Sequence, residues 1–155
     1  MSAQPQELWQ LAPMQRAQLP LVMDVEKRAY EFPWTEGIFT DCLKVGYSAW
    51  VVQSPAGDVL AYSVMSMAVG EAHLLNLCVA PEYQGQGLAR FLLTHLLSIA
   101  RAAHMTQMLL EGRKSNKPAL GLYESVGFEK LGLRKGYYPA HGGREDAWVL
   151  GLQIV

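Results

Sequence analysis

The sequence predicts an α+β (α/β-like) fold, a mixed and mostly antiparallel sheet flanked by helices. Runs of strand character at 47–53, 59–68 and 72–79 follow one another with only short turns between them, which favours an antiparallel meander. The last run leads through a glycine-rich turn into a long amphipathic helix and then into another strand. Strand, helix and strand in succession predict a right-handed crossover and a locally parallel pair.

The composition is that of a globular chain, which we expect to form a single domain over residues 1–155. Apolar residues make up 50% of the sequence and charged residues 17%, which excludes a disordered chain. The formal net charge is −1, so the basic footprint of a nucleic-acid-binding protein is missing. No nucleic-acid partner is expected.

The sequence predicts a cytoplasmic protein without a membrane segment or a metal site. The start, MSAQPQELWQ, lacks the basic and apolar regions of a signal peptide. No apolar run reaches the roughly 18 residues that a membrane span needs. The two cysteines, Cys42 and Cys78, provide neither a disulfide framework nor the ligand spacing of a metal site.

The first part of the chain predicts a short strand and two helices. The strand is expected at 8–14, and the first helix over 18–30. The helical spacing is carried by Leu21, Val22, Val25 and Ala29. Pro33 disfavours helix in the residue before it, and Thr35 is a suitable N-cap for a second helix that reaches about Val45.

The second part predicts two further helices and three strands. The helix after the glycine turn presents one broad apolar stripe that should pack on the sheet. Its residues are Leu88, Phe91, Leu92, Leu93, Leu96, Leu97 and Ile99. A strand at 105–110 is expected to end at Glu111-Gly112-Arg113, and Asn116 should cap a helix that ends at Gly127. A final antiparallel pair, 128–136 and 145–154, should be joined by a glycine-rich loop.

The glycine-rich turn over 84–89, Gln-Gly-Gln-Gly-Leu-Ala, is a suitable site for an anion. It precedes a helix, whose first N–H groups have no intrahelical partner and whose dipole favours negative charge. The turn lacks the Lys-Ser/Thr ending of a P-loop, which argues against nucleoside triphosphate hydrolysis. It also fits the dinucleotide-binding fingerprint poorly, because the strand before it follows a hairpin.

With its surroundings, this turn resembles the acyl-CoA-binding motif Q/R-x-x-G-x-G/A of the GNAT superfamily of N-acetyltransferases. The runs 110–116, Leu-Glu-Gly-Arg-Lys-Ser-Asn, and 122–128, Leu-Tyr-Glu-Ser-Val-Gly-Phe, resemble a second signature of that family. The resemblance covers essentially the whole chain. Within the family, the segments 32–35, 137–139 and 145–147 are similar to those of RimI-type acetyltransferases, which act on the N-terminal alanine of a small-subunit ribosomal protein.

The resemblance implies that acetyl-CoA is the cosubstrate and that no metal takes part. The pyrophosphate would lie on the turn, with the Arg90 side chain able to reach a phosphate, and Asn116 would contact the CoA arm while capping its helix. The residues of the turn are Gln84, Gly85, Gln86, Gly87, Leu88, Ala89 and Arg90. The alternative is a plain helix-capping turn.

The strand before the turn would pair with the pantetheine arm through the backbone of Leu77, Cys78 and Val79. The Val79 N–H would then polarise the thioester carbonyl. Cys78 itself has two interpretations, a nucleophile that relays the acetyl group or a buried apolar side chain. The second is favoured, since the four histidines offer no clear base for the thiol and the family transfers the group directly.

The resemblance implies catalytic roles for Glu111 and Tyr123. Glu111 would accept the proton of the acceptor amine, which attacks a thioester only when it is unprotonated. Its alternatives are a salt bridge to Arg113 or a solvent-facing carboxylate. Tyr123 would protonate the departing CoA thiolate, and its alternative is a half-buried aromatic side chain on an amphipathic helix.

Two aromatic segments are assigned by the resemblance to the peptide substrate. They are Phe32, Pro33 and Trp34, between the first two helices, and Tyr137 and Tyr138, in the last loop. Hydrophobic packing is the alternative for each residue, most of all for Trp34. Two departures from the relatives stand out: Gly112 replaces a larger apolar residue, which could loosen Glu111, and Gly136 replaces an asparagine.

The predicted activity is transfer of an acetyl group from acetyl-CoA to the N-terminal α-amine of a protein, with the alanine of a small-subunit ribosomal protein as the acceptor. Acetylation of a lysine side chain or of a small-molecule amine is an alternative within the same class. A non-catalytic acyl-CoA-binding module is the alternative from another class.

Overall fold

The structure of the chain, a computed structural model, describes residues 8–154. The first seven residues, on which the prediction about a signal peptide partly rests, lie outside this range. The strands are β1 (Gln10–Pro13), β2 (Ser48–Gln53), β3 (Val59–Ala68), β4 (Glu71–Val79), β5 (Gln107–Arg113), β6 (Glu129–Ala140) and β7 (Gly143–Gln153). The helices are α1 (Leu19–Ala29), α2 (Glu36–Lys44), α3 (Leu88–Ala102) and α4 (Lys117–Val126).

The described strands form a seven-stranded mixed sheet in the order β1-β2-β3-β4-β5-β7-β6. The β1–β2, β2–β3, β5–β7 and β6–β7 pairs are antiparallel. The β4–β5 pair is parallel and runs from Glu71↔Gln107 to Leu74↔Leu110. The mixed, mostly antiparallel sheet and its parallel pair are therefore confirmed.

The chain folds into two compact units that interleave in sequence. Within the described residues, the first unit comprises 8–66 and 76–96, and the second comprises 67–75 and 97–154. Tyr62 and Phe39 are fully buried in the first unit, and Met108, Leu110 and Leu150 are fully buried in the second. Each unit thus contains a well-packed apolar core of its own.

Helix α1 buries only some of the residues that carry its predicted helical spacing. Val22 and Val25 are buried as expected, but Leu21 is 48% exposed. The buried stripe instead takes in Glu26, a residue that an apolar pattern cannot include. Helix α2 begins as predicted, because the Thr35 side chain accepts a hydrogen bond from the Ile38 N–H at 3.2 Å.

The apolar stripe of α3 is confirmed at its main positions. Leu88, Leu92 and Leu96 are almost fully buried, at the i, i+4, i+8 spacing of one helix face. Leu93 widens this face, also as predicted. Ile99 is only half-buried, and the neighbouring Ala100 is buried in its place.

Helix α4 has the predicted ends. Asn116 accepts a hydrogen bond from the Ala119 N–H at 3.3 Å, and Gly127 follows the last turn with φ +119°. That backbone conformation is left-handed, where glycine meets no Cβ clash. Both capping signals were readable in the sequence because each acts within one turn.

The end of the chain required two corrections. β5 continues through Glu111 to Arg113, so Glu111 lies inside a strand and not at its end. β6 and β7 are longer than expected and are joined by the two-residue turn His141-Gly142. Tyr137 and Tyr138 therefore lie in β6 and not in a loop.

The extension of β6 depends on a bulge that a simple alternating pattern does not predict. Arg134 pairs with Ala147 and Tyr138 with Glu145, so three residues of β6 face Asp146 alone. Gly136 lies within this bulge with φ +60°, and its N–H donates to the Asp146 carboxylate at 2.9 Å. The left-handed residue interrupts the alternation, and the strand resumes beyond it.

Candidate active site

The glycine turn has the geometry of an anion cradle. Gly85 and Gly87 have φ +81° and +87°, a region that residues with a Cβ rarely adopt. The Phe91 N–H donates to the Gly87 carbonyl at 2.9 Å, so the N–H groups of Leu88, Ala89 and Arg90 precede the first donor of the helix ladder. A Cβ added at either glycine would meet no described atom within 4 Å. The space over the turn is open to a ligand.

Side chains of the first unit hold this turn in place. Gln84 Nε2 donates to the Val79 carbonyl at 3.3 Å, which ties the turn to the end of β4. Arg28 of α1 binds both carboxylate oxygens of Glu82, at 2.6 and 3.2 Å. The cradle is therefore held both through the end of β4 and through Pro81–Tyr83, the short 3₁₀ segment in front of it.

At the end of β4, one edge of the backbone pairs with a strand, while the other edge receives hydrogen bonds from side chains. The Ala80 N–H donates to the Leu60 carbonyl of β3, so the alternate residues Leu77 and Val79 direct their backbone groups to the other edge. On that edge, the Leu77 carbonyl accepts from the Tyr30 hydroxyl at 3.0 Å and the Val79 carbonyl accepts from Gln84. The Leu77 and Val79 carbonyls therefore each accept a hydrogen bond from a side chain of the first unit.

Cys78 is a buried thiol. Its side chain is almost fully enclosed, and burial raises the pKa of the Cys78 thiol to about 12. The reactive thiolate is therefore scarce at neutral pH. These features favour the predicted role of a small apolar side chain over that of a nucleophile.

The first unit also contains a buried carboxylate that the sequence analysis did not single out. Glu26 is 1% exposed and accepts hydrogen bonds from the Tyr62 hydroxyl at 2.5 Å, Asn76 Nδ2 at 3.2 Å and the Trp34 N–H at 2.9 Å. Burial raises the pKa of Tyr62, so this phenol stays neutral and donates. Three donors compensate the cost of burying this side chain.

The segment Phe32–Trp34 lies between α1 and α2, as predicted. Phe32 and Pro33 are exposed, whereas the Trp34 ring is half-buried and packs on Phe39 with centroids 5.1 Å apart. Together with its N–H bond to Glu26, this contact favours packing for Trp34.

Glu111 lies in the second unit with two basic partners. Its Oε1 is 2.7 Å from His73 Nε2, and its Oε2 is 3.7 Å from the Arg134 guanidinium. Only 9% of the Glu111 side chain is exposed. Arg113, the partner considered from the sequence, pairs with Glu145 at 3.0 Å.

Tyr123 lies on α4 and is more buried than expected, at 9% exposure. Burial raises the pKa of its hydroxyl to about 12. The ring packs edge-on against Phe128, with centroids 5.8 Å apart. A neutral phenol at physiological pH is the form that can donate a proton.

Tyr137 and Tyr138 lie on β6 with their rings in edge-to-face contact, 4.8 Å between centroids. The Tyr138 hydroxyl donates to the Glu111 carbonyl at 3.0 Å, and the Arg113 guanidinium stacks over its ring. Burial raises the pKa of both phenols. The structure thus brings Glu111, Tyr137 and Tyr138 together within the second unit.

The two glycines that depart from the relatives have physical explanations. A Cβ at Gly112 would lie 2.9 Å from Leu120 Cδ2, so the buried Leu120 fills the space that a larger side chain would take. Glu111 is held by His73 and Arg134 regardless. Gly136 needs a left-handed backbone, which asparagine also tolerates.

His73, Arg134 and Glu26 were not among the site residues predicted from the sequence. His73 pairs with Leu109 across the parallel ladder, which puts it on the same face as Glu111 two residues later. The sequence predicts which residues of one strand share a face, but it does not predict the register between β4 and β5. Glu26 had a signal in the sequence: its carboxylate stands four residues after Val22, on the same face of the helix.

No group of three or more His, Cys, Asp or Glu side chains within 8–154 is arranged to hold a metal ion. In the same range, no helix is both long enough and apolar enough to cross a bilayer.

The chain that carries the anion cradle at the start of α3 and the carboxylate Glu111 on β5 has the fold of a known enzyme family. The Acetyltransferase (GNAT) family model matches residues 11–128, and the chain belongs to this family. It is an N-acetyltransferase with a single GNAT-type fold, and acetyl-CoA is the family's cosubstrate.

Individual relatives agree with this assignment. The chain is 36% identical over 144 residues to the [ribosomal protein bS18]-alanine N-acetyltransferase of Escherichia coli K12, covering 93% of this chain and 97% of that protein. It is 30% identical to the putative enzyme of that name from Bacillus subtilis, covering 86% and 87%. The crystal structure of the Escherichia coli ribosomal-protein-S18-alanine N-acetyltransferase superposes with a TM-score of 0.88 over 94% of both chains.

Proposed function

We propose that this enzyme acetylates the N-terminal α-amine of a ribosomal protein, the N-terminal alanine of bS18. The observation that carries the proposal is the similarity to bS18-alanine acetyltransferases at 36% identity over 93% of the chain. The partly buried carboxylate Glu111 supports it from the chemical side. The predictions of a cytoplasmic location, of no nucleic-acid partner and of one domain over 1–155 belong to the same proposal.

Acetyl-CoA binds through the first unit in this proposal. The pyrophosphate lies on the backbone N–H groups at Gly85–Arg90, where positive φ at two glycines and the start of α3 support an anion. The pantetheine arm follows Leu77–Val79. Two carbonyls there already accept hydrogen bonds from Tyr30 and Gln84, but each has a second lone pair, so the arm can use the N–H groups or share these carbonyls.

Glu111 is the proton acceptor for the amine. An α-ammonium group has a pKa of about 7.7–8.0, so a large part of the acceptor is protonated at neutral pH and cannot attack. A carboxylate that takes this proton, directly or through a water, leaves the nitrogen lone pair free to form the new C–N bond. The Val79 N–H polarises the thioester carbonyl during the attack.

Tyr123 is the proton donor for the leaving group. When the tetrahedral intermediate collapses, the C–S bond breaks and CoA leaves as a thiolate. The neutral Tyr123 phenol, kept protonated by burial, supplies the proton. Asn116, whose side chain caps α4, contacts the CoA arm in the same proposal.

The acceptor peptide is held by exposed aromatic side chains and their neighbours. Phe32 and Pro33 are exposed on the first unit, and Tyr137 lies on the second with 37% exposure. Tyr138 and Trp34 have structural partners, a backbone carbonyl and a buried carboxylate respectively. Phe32, Pro33 and Tyr137 are the exposed members of the two segments, and we assign direct peptide contact first to them.

The test offers acetyl-CoA with three kinds of acceptor: a peptide with the bS18 N-terminal sequence that starts with alanine, a lysine peptide with a blocked N-terminus, and small polyamines. We expect kcat/KM to be highest for the alanine peptide. Deprotonating a lysine, with a pKa of about 10.4, costs roughly 3 kcal/mol more than deprotonating an α-amine.

A higher kcat/KM for the lysine peptide or for a polyamine would contradict the proposed acceptor. Binding of acetyl-CoA without acetylation of any acceptor would favour the non-catalytic module instead. A matched peptide that differs only in N-terminal acetylation is the control, since it removes the reacting amine and keeps every other contact.

A further inference from the structure

His73 and Glu111 form a close pair inside the second unit. The His73 Nε2 and Glu111 Oε1 atoms are 2.7 Å apart, a distance typical of a charge-assisted hydrogen bond. The parallel register aligns His73 with Leu109, so the two side chains project from the same face of neighbouring strands. The pairing is thus fixed by the sheet and not by a flexible loop.

The two members of the pair differ in their access to water. The Glu111 side chain is 9% exposed, whereas that of His73 is 31% exposed. Other charged and titratable groups face the pair from each neighbouring element: Glu71 from β4, Arg134 from β6, and Tyr137 and Tyr138, also from β6. The pKa of His73 is raised, chiefly by its hydrogen bond to Glu111, while burial and Arg134 oppose the shift.

A carboxylate alone is a poorly matched base for an α-ammonium group. The ordinary glutamate pKa is about 4.3 and that of the α-amine about 7.7–8.0, whereas a general base works best with a pKa near the working pH. Two strongly interacting groups take up protons as a pair. When His73 is neutral, the pair can accept one proton with the affinity of the imidazole. When His73 is already protonated, only the weak basicity of the carboxylate remains.

We propose that His73 is a positioning residue for Glu111, whose imidazole must be neutral for the pair to accept the proton of the incoming amine. The inference rests on the role proposed for Glu111. The ammonium N–H bond breaks and an O–H bond forms on Glu111, whose Oε1 keeps the hydrogen bond that the Nε2–H of the neutral imidazole donates. The proton then passes through water to the Nδ1 lone pair of the more exposed His73 ring, which releases it to solvent.

The test compares the pH dependence of kcat/KM for wild type and His73→Gln with the alanine peptide. The glutamine amide can keep a hydrogen bond to Glu111 but does not titrate. Ionisation of the acceptor amine affects both enzymes equally, so the ratio of the two rates isolates His73. We expect His73→Gln to be about tenfold or more slower at high pH, in line with general-base effects. The deficit should shrink as the pH falls through the raised His73 pKa.

A ratio that stays constant with pH would overturn the proposal. The matched control is His104→Gln, an exposed histidine of the same unit, for which the ratio should stay flat and near one. A second readout is independent of turnover: NMR titration of the His73 ring should give a lower pKa, closer to about 6.5, in Glu111→Gln. An unchanged His73 pKa in that variant also contradicts the pairing.

Failure of this inference can be told apart from failure of the proposed function. If Glu111→Gln is nearly inactive but the rate ratio is flat, Glu111 remains the base and the role of His73 is wrong. If Glu111→Gln is as active as wild type, the base assignment itself fails, and the inference fails with it.

Discussion

Two glutamates of this chain are withdrawn from solvent, and their surroundings differ in kind. Glu26, in the first unit, is 1% exposed, and its carboxylate accepts from a tyrosine hydroxyl, an asparagine amide and a backbone N–H. Glu111, in the second unit, faces an imidazole at 2.7 Å and a guanidinium at 3.7 Å. The donors to Glu26 are neutral groups that do not titrate near physiological pH. Glu111, in contrast, has a titratable neighbour in His73.

The contrast shows that partners, more than burial, separate a structural carboxylate from a catalytic one. All three donors of Glu26 belong to elements that must stay in place: β3, β4 and the segment after α1. Its hydrogen bonds therefore hold the core of the first unit together. Glu111 has a neighbour that can gain or lose a proton and reach water, which a general base needs.

The largest effect is expected for Glu111→Gln. The amide keeps the shape of the side chain but cannot take a proton, so kcat/KM for the alanine peptide should fall about 10²–10⁴-fold. The free energy of unfolding should change by about 1 kcal/mol or less, because glutamine fills the same space and can still hydrogen-bond to His73. Steady-state kinetics and urea unfolding measure the two quantities.

Glu129→Gln is the matched control for that variant. Glu129 is an exposed carboxylate on β6 in the same unit, and its neutralisation should leave both quantities near wild type. Equal kinetics for wild type and Glu111→Gln would show that the second unit does not hold the base.

The opposite pattern is expected for Glu26. Glu26→Ala leaves the Tyr62 hydroxyl, the Asn76 amide and the Trp34 N–H without their acceptor, and each buried unsatisfied donor costs about 1–3 kcal/mol. We expect a loss of about 3–5 kcal/mol in the free energy of unfolding, measured with urea. If this variant does not fold, Glu26→Gln, which keeps one acceptor oxygen, should lose about 1–3 kcal/mol.

Kinetics of the folded Glu26 variant sharpen the contrast. In acetyl-CoA turnover with the alanine peptide, kcat for Glu26→Gln should stay within a few-fold of wild type in the pH range where the protein remains folded. A loss of kcat as large as that of Glu111→Gln, with unchanged stability, would reverse the roles assigned to the two glutamates.

The features that the sequence predicts well are the local ones. Thr35 and Asn116 cap their helices within one turn, and Gly127 ends α4 through its own φ angle. Gly85 and Gly87 give the cradle its shape in the same way. A motif that depends on consecutive residues can be read without knowing the rest of the fold.

The features that escaped depend on register and on irregular strands. The His73–Glu111 pair exists because His73 is aligned with Leu109, and no local signal sets that alignment. The two added residues of the β6 bulge move Tyr137 and Tyr138 into a strand, although the glycines around them suggested a loop. Glu26 was passed over because an apolar pattern does not register a polar residue on the buried face.

Tyr123→Phe should have an intermediate effect. Removing the hydroxyl takes away the proposed proton donor, so kcat should fall about tenfold or more, while KM for acetyl-CoA changes little. Because phenylalanine keeps the contact with Phe128, the free energy of unfolding should remain within about 1 kcal/mol of wild type. Unchanged kcat would assign Tyr123 to packing alone.

The smallest effect, and the most direct comparison of the two clusters, comes from removing one partner of each glutamate. Arg134 is 53% exposed and 3.7 Å from Glu111, so Arg134→Gln should cost about 0.2–1 kcal/mol in stability. Asn76 is buried and donates to Glu26 at 3.2 Å, so Asn76→Ala should cost about 1–3 kcal/mol. Urea unfolding of both variants measures the difference. Equal losses would mean that the carboxylate on β5 is held as rigidly as the one in the core, and the distinction drawn from their partners would fail.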